Sequence, residues 1–133
     1  MKLALLFAIF LGGALGSLSR YTIWLGAEQA GVSVLIFDLV ATSIVNIAGA
    51  AFLGFVHSSA FRMSEKAKAF WGSGFAGGFT TMSGLALITA GSSLGLSEIG
   101  YLYWLAVASQ FVVGVLAYWF VRSSFGITKG SVR

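Results

Sequence analysis

Apolar residues fill four long blocks, at about 3–25, 34–56, 69–92 and 99–121, and polar residues gather in the short stretches between them and after Arg122. About twenty consecutive apolar residues in a helix cross the hydrocarbon core of a bilayer. Each block therefore predicts a transmembrane helix. Together they predict an all-α integral membrane protein, a single four-span membrane domain over residues 1–133. The first block lacks a small-residue cleavage site behind a short apolar core, so it reads as a mature helix rather than a removed signal. Trp24, Trp71, Tyr101, Tyr103, Trp104, Tyr118 and Trp119 fall near block ends, where an interfacial aromatic belt is expected.

The third block is apolar but badly built for a helix. Residues 74–84 read Gly-Phe-Ala-Gly-Gly-Phe-Thr-Thr-Met-Ser-Gly, four glycines and three hydroxyl residues in eleven positions. Glycine and hydroxyl residues hold a helix weakly and free its carbonyls. In lipid, loose backbone survives only where protein buries it or where it lines a polar cavity. A broken third helix is expected here, with an ion site or a permeation path beside it. Carbonyls near Gly77 to Thr80 suit a small hard cation, which prefers oxygen ligands. The plainer alternative is a glycine-rich packing seam with its threonines bonded back to the helix. Gly12 with Gly16, and Ala50 with Gly54, have the four-residue spacing that lets membrane helices approach closely, and packing explains them.

Composition narrows the function classes. The chain is 58% hydrophobic and 9% charged, against about 25% charged in a soluble domain. Mean hydropathy is +0.93 and the isoelectric point about 9.8. With so few charges, the basic excess reflects membrane topology rather than nucleic-acid binding. Four spans place both termini and the central loop on one side, with Lys2, Arg62, Lys66, Lys68, Arg122, Lys129 and Arg133. The other two loops hold only Glu28 and Glu98. Positive residues stay inside, so both termini are expected in the cytoplasm, in a cell inner (plasma) membrane. Cysteine is absent and His57 is the one histidine. Disulfides, thiolate sites and a His/carboxylate metal cluster are thereby excluded, and no nucleophile–base pair supports an enzyme.

A few polar residues interrupt the apolar blocks. Arg20, near the end of the first, is either a snorkelling anchor or a fixed positive charge in a vestibule. Thr42 and Asn46 are four apart, on one face of the second span. The Asn46 amide either bonds a neighbouring helix or donates its N–H groups to a passing anion. Asp38 starts that span, as an interfacial or helix-N-terminal carboxylate. On the fourth span Ser109 and Gln110 are the strongly polar residues, and the sequence leaves open which faces helices or pore. No acidic residue sits at mid-depth in the first, third or fourth span. This argues against a small proton-coupled multidrug exporter, which needs a titratable group within the membrane.

These features together resemble the Fluc (CrcB) family of fluoride channels. Residues 12–21, Gly-Gly-Ala-Leu-Gly-Ser-Leu-Ser-Arg-Tyr, are similar to the family's Gly-Gly-x-x-Gly-x-x-x-Arg-aromatic pattern. Thr42 to Asn46 is similar to its Thr-x-x-x-Asn second helix, and residues 74–83 to its Gly-x-x-Gly-Gly-x-Thr-Thr-Phe-Ser break. The resemblance implies an antiparallel, dual-topology dimer with two pores and passive export of cytoplasmic fluoride. It implies a structural, non-transported Na+ held by backbone oxygens, which fall on Gly77 and Thr80. Arg20 then belongs to an aqueous vestibule, and Thr42, Asn46, Met82, Ser83, Leu85 and Ser109 to the expected anion path.

One departure matters. The family's break carries two pore-lining phenylalanines, and Met82 and Leu85 stand in their places. A phenyl ring turns a positive edge to an anion, whereas a thioether or isobutyl group offers only an apolar wall. The strong Lys/Arg bias also fixes one orientation. Together these favour a heterodimer with a related, oppositely oriented subunit that supplies the phenylalanines, with a homodimer as the alternative. A non-conducting structural subunit is the other reading.

Overall fold

The computed structural model describes residues 2–29, 34–58, 63–86, 90 and 100–126, and among these there are helices and connections but no strand. Helix α1 is Lys2–Glu28 and α2 is Val34–Val56. Helix α3 is composite: an α-helical turn at Glu65–Lys68, a π-helical stretch at Ala69–Ala76 and an α-helical end at Gly77–Phe79. Residues 80–81 are not helical, and helix resumes over 82–86. Helix α4 is Gly100–Ser124. Stretches Lys2–Gly26, Leu39–Val56 and Trp104–Ser124 are long and apolar enough to cross a membrane. The expected third span, 69–92, is interrupted at Thr80–Thr81, and its residues 87–89 and 91–92 lie outside the described residues, as do Arg62, Glu98, Lys129 and Arg133 and the side chains of Asp38 and Tyr103.

Local chemistry explains the start of α3. Ser64, in an extended conformation, accepts a hydrogen bond on Oγ from the Ala67 N–H at 3.2 Å, and Glu65 occupies the first turn near the positive end of the helix dipole. The π stretch holds two of the glycines, Gly72 and Gly74. Such wide turns are rare in helices and concentrate at functional sites.

Among the described residues, the helices pack in two pairs: α1 mainly against α3, and α2 mainly against α4, while α1 touches α2 little. The α1–α3 seam is backbone against backbone. A Cβ on Gly12 would overlap the Phe70 carbonyl, and one on Gly16 the Phe75 carbonyl. From the other side, a Cβ on Gly78 would overlap the Gly13 carbonyl, and one on Gly74 would lie 2.7 Å from the Ile9 oxygen. Only glycine permits that approach. In the second pair Ala50 meets Gly114, and Gly54 lies against the Tyr118 carbonyl. The contacts advance in step along both chains, so the members of each pair run parallel.

Few side chains are fully enclosed; Ala41, Val45, Val56, Ala76 and Leu85 are the buried apolar residues among those described. Large apolar side chains instead face outward, including Leu6, Phe7 and Phe10 on α1 and Val112, Leu116, Trp119 and Phe120 on α4. In water such a surface is a liability; in a bilayer it is the solvated face. Phe52 of α2 packs edge-on to Trp71 and Phe75 of α3, with centroids 6.0 and 5.5 Å away, and Phe75 stacks on Phe79 at 5.8 Å. Trp24, Trp71, Tyr101, Trp104 and Trp119 are exposed, as an interfacial belt requires. Tyr118 differs: it turns inward on α4 and is engaged by polar neighbours.

Candidate functional site at the break in the third helix

A helix that stops inside an apolar bundle strands its last carbonyls and the next N–H groups. Here side chains from two other helices supply partners. Arg20 of α1 donates from Nη1 to the Thr80 carbonyl at 3.0 Å, and Ser17 donates from Oγ to the Gly78 carbonyl at 3.3 Å. Asn46 of α2 grips Thr81 from both sides: its Oδ1 accepts from the Thr81 N–H at 2.8 Å, and its Nδ2 donates to the Thr81 carbonyl at 3.1 Å. This is a side-chain copy of a strand ladder rung. Thr81 then caps the following turn, its Oγ1 accepting from the Gly84 N–H at 3.1 Å. Thr80 Oγ1 closes the other end on the Ala76 carbonyl at 3.0 Å.

Gln110 of α4 joins the group, its Oε1 accepting from Asn46 Nδ2 at 3.4 Å. Within the subunit, Gln110 is therefore the one that meets the neighbouring helices. Gln110 is buried against the break, whereas Ser109 is exposed and donates to the Ala106 carbonyl of its own helix at 2.8 Å. A sequence signal for Gln110 existed: with Gly114 and Tyr118 it forms a four-residue series on one face, matching Asn46, Ala50 and Gly54 on α2.

Two cavities border the break. The first, about 440 Å³, is lined by Ser17, Arg20, Thr42, Thr81 and Ser83 together with Tyr21 and Trp24. The second, about 300 Å³, is lined by Asn46, Thr80, Met82, Leu85, Gln110 and Tyr118 among apolar neighbours. Six of the seven residues expected in the vestibule and along the anion path thus divide between these two cavities. Ser109 lines neither. Met82 is exposed and Leu85 fully buried. Gly77 and Thr80 share the wall of a third cavity of about 450 Å³, between α3 and Gly49, Ala50 and Leu53 of α2. Among the described residues, nothing lies within 4 Å of a Cβ built on Gly77. The Thr80 carbonyl keeps one lone pair beside the one Arg20 uses. Among the described residues there is no cluster of His, Cys, Asp or Glu able to hold a metal.

A model of the CrcB-like family, described as camphor resistance (CrcB), matches residues 7–122, a stretch that contains all of these groups. The chain belongs to the CrcB family. Among its relatives is the fluoride-specific ion channel FluC of Gloeobacter violaceus, 43% identical over 82 residues. That match covers 59% of this chain and 63% of the relative, so it spans under two thirds of that protein. FluC of Bacteroides fragilis is 34% identical over 114 residues, covering 82% of this chain and 86% of the relative. FluC 2 of Bacillus subtilis (strain 168) is likewise 34% identical over 114 residues, covering 82% and 78%. No solved structure matches the chain.

At the α2–α4 end of this CrcB protein, a second polar group forms. Arg122 Nη1 donates to the Tyr118 hydroxyl at 3.0 Å, and the hydroxyl lies 3.3 Å from His57 Nδ1. Arginine only donates, so the phenolic hydrogen is free to go to His57, which then accepts on Nδ1. Tyr118 therefore joins this basic mouth, lined by His57, Arg122 and Ser123, to the cavity that holds Gln110.

Proposed function

We propose that this chain is a subunit of a fluoride-specific ion channel that passively exports cytoplasmic fluoride and so limits its toxicity. The observation that carries the proposal is the pairing of CrcB membership, with relatives named as fluoride channels, with a broken membrane helix whose backbone is held by Arg20, Asn46 and Ser17 beside two cavities. Neutral or cationic groups line the described part of both cavities, and no carboxylate does. That lining tolerates a small anion and gives a proton-coupled carrier nothing to titrate.

The finer assembly is part of the same proposal. The chain crosses the inner membrane four times with both termini cytoplasmic, and pairs antiparallel with a related subunit of opposite orientation. The seven basic residues on one side support a fixed orientation. The numbered name FluC 2 of the Bacillus relative is in keeping with such chains occurring in pairs. In this reading a structural Na+ is held on the carbonyls of Gly77 and Thr80 at the contact with the partner; the open space beside Gly77 supports it. The exposed Met82 and buried Leu85 favour a second reading within this one: the subunit shapes the assembly while its companion provides the aromatic pore lining.

The test is fluoride efflux from liposomes, followed with a fluoride electrode, for the chain alone and with its companion. Efflux is expected with the companion and weak or absent without it. Fast efflux from the lone chain removes the heterodimer; no efflux from the pair removes the channel.

A further inference from the structure

Gln110 carries two hydrogen-bond donors with nowhere to go. Its residue is 8% exposed, and its Nε2 is buried without a partner among the described residues. The amide cannot turn over to cure this. Asn46 is locked by its two-sided grip on Thr81, which needs Oδ1 for the N–H and Nδ2 for the carbonyl. Nδ2 therefore faces Gln110, and Gln110 must answer with Oε1. Its NH2 group is left on the far side, closed off by its neighbours, and Gln110 is one of the residues bordering a cavity of about 300 Å³. Leu53, Met82, Leu85, Phe111 and Val115 border the same cavity and accept hydrogen bonds poorly; its two hydroxyls, of Thr80 and Tyr118, are engaged with the Ala76 carbonyl and with Arg122 and His57.

An enclosed amide with two spare donors and an apolar surround is complementary to a small, strongly accepting anion. We propose that the Gln110 NH2 group is a fluoride-binding donor, and that it provides the positive edge that Met82 and Leu85 do not. The assignment rests on the fluoride-channel reading above. Hydrogen bonds to an ion are stronger than neutral ones, and more so in a low-dielectric pocket. Helix α4 places the amide by packing against α2, and Asn46 fixes its rotation. Fluoride would thus be met by a donor pre-set through the break itself: Thr81 orients Asn46, and Asn46 orients Gln110.

The experiment is a thermal unfolding series on the purified full chain in detergent, read by tryptophan fluorescence. Sodium fluoride is compared with sodium chloride at equal concentration, so that sodium and ionic strength are constant. A ligand that binds only the folded state raises the midpoint, by about 4 °C at ten times its dissociation constant for a chain of this size. Wild type is expected to show that rise. Gln110→Met removes both donors at similar volume and is expected to lose it. Gln110→Glu keeps an oxygen for Asn46 while replacing the NH2 group with a carboxyl in an apolar surround; it is expected to lower the midpoint in chloride and to lose the fluoride rise. A rise in Gln110→Met equal to that of wild type overturns the assignment. So does a wild type indifferent to fluoride, since the donors then face water or a second subunit's carbonyl. Liposome efflux separates the two levels: a wild-type assembly that conducts fluoride without the thermal rise sinks Gln110 alone, and one that shows neither sinks the channel reading too.

Discussion

Replacing Asn46 with leucine removes the two-sided grip on Thr81 and leaves its volume nearly filled. The structure sets the size of the effect. Two good hydrogen bonds, at 2.8 and 3.1 Å, and a long one at 3.4 Å disappear. Side-chain bonds in membrane proteins average about 0.6 kcal/mol each, which alone predicts roughly 1–2 kcal/mol. That average applies where the abandoned group finds another partner. The Thr81 N–H and carbonyl sit at the break between helical segments, away from any helical partner, so each is stranded at a cost of about 1–3 kcal/mol. Asn46→Leu is therefore expected to destabilise the folded chain by about 3 kcal/mol or more. The measurement is equilibrium unfolding in mixed micelles with rising denaturing detergent, followed by circular dichroism and tryptophan fluorescence. A loss below about 1 kcal/mol would mean that the broken backbone re-pairs without Asn46, and the account of the break as stitched by that amide would fail.

Other outcomes follow from the same contacts. Asn46→Asp keeps an acceptor for the Thr81 N–H but brings a negative charge beside the second cavity, and fluoride efflux should fall at least tenfold; unchanged efflux would confine this amide to backbone support. Gly16→Val drives a side chain into the Phe75 carbonyl and should abolish folded yield, whereas Gly26→Ala, with nothing within 4 Å of the new methyl, should be neutral or gain about 0.5–1 kcal/mol in unfolding assays. Gly77→Leu has free space within the subunit, so the monomer's unfolding midpoint should hold while the assembled species is lost in size-exclusion chromatography; a sodium-sensitive dimer in that variant would misplace the cation site. Arg20→Gln gives up the bond to Thr80 and a charge in the first cavity, and should lower efflux several-fold with a weaker dependence on ionic strength.

Hydropathy made the long helices legible because lipid imposes one demand on every exposed turn, and Val34–Val56 needs no other signal. The break was legible as a region, since four glycines and three hydroxyl residues cannot be mistaken for ordinary span, but its position at Thr80–Thr81 depends on which carbonyls Arg20 and Asn46 reach across space. The π-helical stretch before it was not foreseen; a wide turn has no composition of its own and arises where bare backbone lies on Gly12 and Gly16. The rotation of α4 was hidden for a different reason. Adjacent residues on a helix point about 100° apart, and where both lipid and neighbouring helices are apolar the pattern does not say which side is inside. Ser109 was therefore as good a candidate as Gln110 until α2 fixed the phase through Asn46.

The parallel pairing of α1 with α3 and of α2 with α4 has a consequence for synthesis. The second helix to leave the translocon meets, as its immediate predecessor, a segment with which it shares little surface, and no seam closes between them. The first must wait in lipid for the third, and the second for the last, before either glycine seam can close. Until α4 arrives, a ribosome-bound chain exposes Asn46 without Gln110, and a stop codon placed just ahead of Gly100 should leave a product cleared by membrane proteases rather than a smaller stable one.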